Sequence, residues 1–93
     1  MAVTAARLVI TGRVQGVGFR AWARREARRR NLRGWVRNRS DGSVEALAIG
    51  AAAEVDDFAQ ACHRGPAMAR VAAVDRAAAA DDGSVGFEER ATL

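Results

Sequence analysis

Two amphipathic helical segments, separated by short β-branched runs, are the feature that most constrains how this chain can fold. The first covers residues 19–30, and its apolar residues recur at helical spacing, at Phe19, Trp22, Ala23 and Ala27. The second begins among acidic residues near Glu54 and is stopped by Gly65 and Pro66. Each helix has to bury its apolar stripe, and a chain of 93 residues has room for one two-layer core. We therefore expect a single domain over residues 1–93.

Five segments are predicted to be β-strands because they are rich in β-branched or alternating apolar residues. They are residues 8–11, 34–39, 44–49, 70–77 and 86–92. Asp41-Gly42 is a hairpin turn signal, so the second and third strands should pair antiparallel. Four consecutive alanines, residues 77–80, leave the length and register of the fourth strand open. The element order βαββαβ, with or without the last strand, predicts an α+β fold. Both helices should lie on one face of a mainly antiparallel sheet of four or five strands.

A glycine-rich loop joins the first strand to the first helix. In the stretch from Gly12 to Arg20, Gly16 and Gly18 stand two residues apart. Glycine allows backbone N–H groups to point inward, a helix N-terminus adds partial positive charge, and Arg20 supplies a planar set of donors. These features are typical of an anion-binding site and favour a phosphoryl group as the ligand.

Other interpretations of this loop are weaker or stay open. A Walker A loop is excluded because the chain contains no lysine. Residues 16–21 match the relaxed G-x-G-x-x-A pattern of dinucleotide-binding folds, but such a fold needs a parallel crossover and a longer chain. A tight turn that binds no ligand is the alternative that the loop alone leaves open.

The charge of the chain is unevenly distributed. Residues 1–40 hold eleven arginines and one acid, residues 41–93 hold four arginines and ten acids, and the net charge is +4. Such asymmetry raises nucleic acid or acidic small molecules as partners. An RNA-binding module would share the predicted element order, but the aromatic residues that stack on bases are missing. We therefore expect no nucleic-acid partner, and we interpret the arginines of residues 24–30 as a solvated helix face.

The single cysteine and the N-terminal residues bear on the compartment. Cys62 is the only cysteine, so no intramolecular disulfide can form, and a buried thiol is expected. Residues 1–11 have no long apolar region and contain Arg7, so they are not expected to be a signal peptide. No run is long enough to span a bilayer. We expect a cytoplasmic monomer with no membrane partner.

Two motifs resemble the signatures of the acylphosphatase family. The first is the stretch Gly12-Arg13-Val14-Gln15-Gly16-Val17-Gly18-Phe19-Arg20. The second begins as Gly34-Trp35-Val36-Arg37-Asn38 and continues through Asp41-Gly42 and Val44 to Gly50. The resemblance implies a ferredoxin-like α/β sandwich, which agrees with the predicted element order. One departure is Arg39, which follows Asn38 where many members of the family carry threonine.

The resemblance implies an enzyme that hydrolyses the carboxyl-phosphate bond of an acyl phosphate to a carboxylate and inorganic phosphate. Arg20 would hold the phosphoryl group, and Asn38 would orient the attacking water. The phosphate-binding residues would be Gln15, Gly16, Val17, Gly18, Phe19 and Arg20. No metal or cofactor is expected, and the carboxylate is a good enough leaving group to need no general acid. A domain that binds acyl or carbamoyl phosphate without catalysis stays an alternative, as does the RNA-binding module.

Overall fold

Seven secondary-structure elements make up the computed structural model, which describes residues 3–93. They are β1 (Val3–Arg13), α1 (Phe19–Arg29), β2 (Arg33–Asn38), β3 (Val44–Ala51), α2 (Ala52–Cys62), β4 (Arg70–Ala78) and β5 (Phe87–Arg90). The strands form a sheet in the order β4-β1-β3-β2-β5, and of the pairs described, β2 with β5 is parallel and the others are antiparallel. This confirms the predicted α+β sandwich, with the fifth strand present. Met1 and Ala2, which begin the stretch not expected to be a signal peptide, lie outside the described residues.

Both helices pack on one face of the sheet and enclose the main hydrophobic core. The buried positions alternate along β1 and recur every four residues along α1; they are Ala6, Leu8 and Ile10 in β1, and Phe19, Ala23 and Ala27 in α1. The rings of Phe58 in α2 and Phe87 in β5 meet edge to face with centroids 5.9 Å apart, which joins the second helix to the last strand. Cys62 is buried as predicted, and its burial raises the pKa of the thiol to about 12.

The observed boundaries differ from the predicted ones mainly where backbone pairing extends a strand. β1 begins at Val3 rather than at residue 8, because its pairing with β3 continues from Ile10 back to Val3. β4 takes in two of the four alanines, and its register is set by pairing with β1, with Ala78 opposite Ala6. α2 follows β3 directly and ends at Cys62. Neither helix within residues 3–93 has the length and apolar character needed to cross a membrane.

The opposite face of the sheet carries no helix in the described chain and is covered instead by the segment between β4 and β5. These two strands lie at opposite edges, so residues 79–86 have to cross this face. Trp35 lies beneath the crossing segment with 9% of its surface exposed, and its indole Nε1 donates to Asp82 Oδ2 at 3.1 Å. Arg33 Nη2 donates to Asp81 Oδ2 at 2.5 Å. These contacts fix the crossing segment to β2, and β5 follows that segment and pairs with β2.

The same helix-free face buries one carboxylate, that of Glu45, at 3% exposure. Arg37 Nε donates to its Oε1 at 2.8 Å, and Arg7 donates to its other oxygen. Burial opposes ionisation, but the hydrogen bonds from Arg37 and Arg7 outweigh it and keep the pKa of Glu45 below its ordinary value of 4.5. The three charges link β1, β3 and β2 immediately before Asn38.

Candidate active site

A pocket of about 150 Å³ lies at the N-terminus of α1, between the loop after β1, the end of β2 and the edge strand β5. It is lined by Val14, Gly16, Gly18, Phe19, Arg20, Ala21, Asn38 and Glu89. The pocket thus brings together Arg20 and Asn38, which the family resemblance implies as the catalytic pair. Of the six predicted phosphate-binding residues, Gln15 and Val17 belong to the same loop but are not part of the lining.

The loop that lines this pocket contains a run of backbone N–H groups without a backbone acceptor among the described residues. Gly16 and Gly18 have φ angles of 73° and 78°, in the left-handed region that favours glycine. Gly18 is the N-cap of α1, no side chain caps this helix, and its first turn contains no acid. Within residues 3–93, the N–H groups of residues 15–21 donate to no other backbone group. Unpaired amides at a helix N-terminus create the positive potential that binds anions.

The side chain of Gln15 fixes the loop to the hairpin between β2 and β3. Its Nε2 donates to the carbonyl oxygen of Arg39 at 2.8 Å and to that of Ser43 at 2.9 Å. Both acceptors lie within a few residues of Asn38. Gln15 therefore ties the element that carries Arg20 to the element that carries Asn38, a role for its side chain that the sequence motif does not reveal.

A stripe of arginines on α1 contacts the edge strand β5. Arg20 Nη1 lies 3.4 Å from the carbonyl oxygen of Arg90, and two turns later Arg28 Nε donates to the carbonyl oxygen of Phe87 at 3.1 Å. Residues four apart on a helix share one face, so Arg24 lies between them on the same side. Arg24 and Arg28 contact β5 but stay partly solvated, with Arg28 exposed and 40% of the Arg24 side chain accessible. The interpretation of residues 24–30 as a solvated face is wrong for Arg30, whose side chain is only 9% exposed.

Asn38 is the last residue of β2, and backbone hydrogen bonds fix its position at the carbonyl group and at the following residue. Its carbonyl oxygen accepts a hydrogen bond from the amide of Leu93 at 3.0 Å. The next residue, Arg39, pairs its backbone N–H with the carbonyl of Ser43 at 2.9 Å, and its guanidinium lies 4.0 Å from Asp41. Arg39 is not part of the pocket lining, so the residue that departs from the family pattern points along the hairpin turn.

Two residues of the pocket lining lie outside the sequence motifs: Ala21, which directly follows the first motif, and Glu89, which is remote from both. Along β5, Phe87 and Glu89 occupy alternate positions, and Phe87 lies in the core beneath the helices, so Glu89 faces the same side. Its Oε2 lies 3.6 Å from Arg24 Nε. Among residues 3–93, no group of three or more His, Cys, Asp or Glu side chains is placed to hold a metal ion.

Several known proteins similar to this chain are acylphosphatases. The acylphosphatase family model matches residues 6–89. An acylphosphatase of Alcanivorax borkumensis is 59% identical over 69 residues, which are 74% of this chain and 75% of that protein. An acylphosphatase of Acidiphilium cryptum is 49% identical over 88 residues, or 95% of this chain and 97% of that protein. The crystal structure of an acylphosphatase from Bacillus subtilis superposes with a TM-score of 0.90 at 36% identity, covering 96% of this chain and 99% of that one.

Proposed function

This chain belongs to the acylphosphatase family, and from that premise we propose that it hydrolyses the carboxyl-phosphate bond of acyl phosphates to a carboxylate and inorganic phosphate. The observation that carries the proposal is the pocket in which an uncapped helix N-terminus, Arg20 and Asn38 meet. One domain over residues 1–93 supplies every group that the reaction requires.

The phosphoryl group binds in the loop. The backbone N–H groups from Gln15 to Arg20 donate to its oxygens, with Gly16, Val17, Gly18 and Phe19 between them. The support for this assignment is that these amides have no other backbone acceptor within the described chain and that both glycines take left-handed φ angles. Arg20 adds charge-assisted hydrogen bonds, which are about twice as strong as neutral ones.

Asn38 places the attacking water. A carboxamide can accept a hydrogen bond from water and donate another while it stays neutral beside the phosphate, whereas an aspartate would repel it. The water oxygen attacks phosphorus in line with the departing carboxylate, and its proton passes to a phosphate oxygen. Arg20 and the loop amides stabilise the charge on the equatorial oxygens of a loose transition state. The carboxylate leaves as an anion, so no acid has to protonate it.

We also propose that the protein acts as a cytoplasmic monomer on small acyl phosphates and does not bind nucleic acid. The lone, buried Cys62 supports a compartment where disulfides are not used. Base stacking would need an open aromatic face on the sheet. The Trp35 ring is instead covered by two guanidinium groups, with Arg37 Cζ at 4.7 Å and Arg90 Cζ at 5.0 Å from its centroid.

The test is the hydrolysis of benzoyl phosphate by wild type, Arg20→Ala and Asn38→Ala in the presence of a chelator. Each of these variants should lose about 10²- to 10³-fold in kcat/KM, the cost of removing one oriented donor in comparable sites. Arg25→Ala is the matched control, because Arg25 is exposed on α1 and should keep wild-type activity. Urea unfolding of every variant separates loss of a catalytic group from loss of the fold. Wild-type turnover by a folded Arg20→Ala or Asn38→Ala protein would disprove that residue's role.

A further inference from the structure

The pocket that attracts an anion also contains a carboxylate. Glu89 lines it together with Arg20 and Asn38, and 32% of its side chain is exposed. A carboxylate in this position repels a bound phosphate, since both are negative at neutral pH. The proposed hydrolysis assigns Glu89 no step, because the leaving group needs no acid and the proton of the water passes to phosphate.

Arg24 is the charged partner of Glu89. The Arg24 Nε atom is buried and has no hydrogen-bond partner in the described part of the chain. Among the buried side-chain nitrogen and oxygen atoms of residues 3–93, it alone is in this condition. The nearest carboxylate oxygen, Glu89 Oε2, is 3.6 Å away, which is an ion-pair distance but beyond a hydrogen bond. Arg24 lies one helical turn after Arg20, so its charge is close to the pocket and is partly neutralised by Glu89.

From this geometry we infer that Glu89, positioned by Arg24, limits the affinity of the pocket for phosphate and so promotes release of the inorganic phosphate product. The inference rests on the proposed function, because it concerns the same anion site. Glu89 acts in two ways: it repels the bound anion directly, and it neutralises a cation that would otherwise attract it. Both effects weaken binding, so removing the Glu89 charge should tighten it.

Direct calorimetric titration with inorganic phosphate, without any substrate, tests this inference. Glu89→Gln keeps the shape of the side chain and removes its charge, and it should bind phosphate about 3- to 30-fold more tightly than wild type, the range expected for one partly screened charge a few ångströms away. Glu88→Gln is the matched control. It makes the same change in net charge on the opposite face of β5, and its phosphate affinity should stay at the wild-type value.

Arg24→Gln should show the opposite effect, weaker phosphate binding, and the double variant with Glu89→Gln should return close to the wild-type affinity. Damage to the structure can only weaken binding, so tighter binding by Glu89→Gln cannot arise from it. Phosphate affinity in Glu89→Gln that is equal to or below that of wild type overturns the inference and leaves the proposed function intact. Failure of wild type and Glu89→Gln alike to bind phosphate also overturns the inference, whereas turnover of benzoyl phosphate tests the proposed function separately.

Discussion

The tether from Gln15 to the β2–β3 hairpin gives the most direct link between stability and activity in this molecule. Gln15→Met keeps the length of the side chain and removes both hydrogen bonds, which run to the carbonyl oxygens of Arg39 and Ser43 at 2.8 and 2.9 Å. Each carbonyl keeps another donor, since Gly42 N–H binds the first and Arg39 N–H binds the second. Neither carbonyl oxygen is therefore left without a hydrogen bond, so the full desolvation penalty of a buried, unpaired acceptor does not apply.

The expected cost is thus near the lower end of the range for two neutral hydrogen bonds, about 1–2 kcal/mol in the free energy of unfolding. For a domain of this size, that loss corresponds to a decrease of about 4–16 °C in Tm. The loop that carries Arg20 also becomes free to shift relative to Asn38, so kcat/KM for benzoyl phosphate should fall about tenfold or more. Urea unfolding and steady-state kinetics measure the two losses independently.

Two further variants sharpen this experiment. Gln60→Met makes the same substitution at an exposed position of α2 and should change neither quantity. Gln15→Glu should be worse than Gln15→Met in both, because it places a carboxylate against two carbonyl oxygens and beside the phosphate loop. Wild-type stability in Gln15→Met would refute the energetic reasoning. A loss of stability with unchanged kcat/KM would refute the claim that the tether aligns the site.

The remaining predictions concern stability. Folding lowers the pKa of Glu45 below 4.5, so the ionised Glu45 carboxylate stabilises the native state fully above pH 4.5. This stabilisation is lost as the pH falls through the lowered pKa. Between neutral pH and about pH 3, urea titrations should therefore show a larger loss for wild type than for Glu45→Gln. Gly34→Ala would place a Cβ 1.8 Å from the carbonyl oxygen of Leu47 and should give no folded protein by circular dichroism. Gly83→Ala, in open space at a φ of 80°, should fold with a loss of only about 1–2 kcal/mol. Equal acid sensitivity of Glu45→Gln and wild type, or a stable Gly34→Ala protein, would contradict these expectations.

Most of the fold could be predicted from the sequence, because hydrophobic periodicity and turn residues act locally. The Asp41-Gly42 signal places the hairpin correctly, and the stripe that includes Phe19 and Ala23 identifies the buried face of α1. The N-terminal half of β1 could not be predicted in this way. Its residues from Val3 to Arg7 show no clear alternation and become a strand through pairing with β3.

The site could be predicted only where its residues are part of a local motif. Arg20 and Asn38 stand in two short signatures, whereas Glu89 is brought to the pocket by the pairing of β5 with β2, which no local pattern specifies. The arginines of α1 show the same limit. Arg30 follows a run of arginines and is polar by sequence, yet only 9% of its side chain is exposed. Its guanidinium forms ion pairs with Glu26 of α1 and with Asp57 of α2. Whether a polar residue is solvated depends on which residues, distant in the sequence, pack against it in the folded protein.

The position of β5 at the edge of the sheet makes the pocket dependent on the last strand of the chain, because Glu89 of β5 forms part of its lining. β5 has four residues, and the contact that it makes with Arg20 through Arg90 joins positions 70 residues apart in the sequence. One wall of the pocket therefore depends on a contact of large sequence separation, which is present only when β5 is paired with β2. A refolding chain that already contains both helices and the central hairpin still lacks one wall of its pocket. Enzymatic activity should therefore return only when β5 has paired with β2, and not before it.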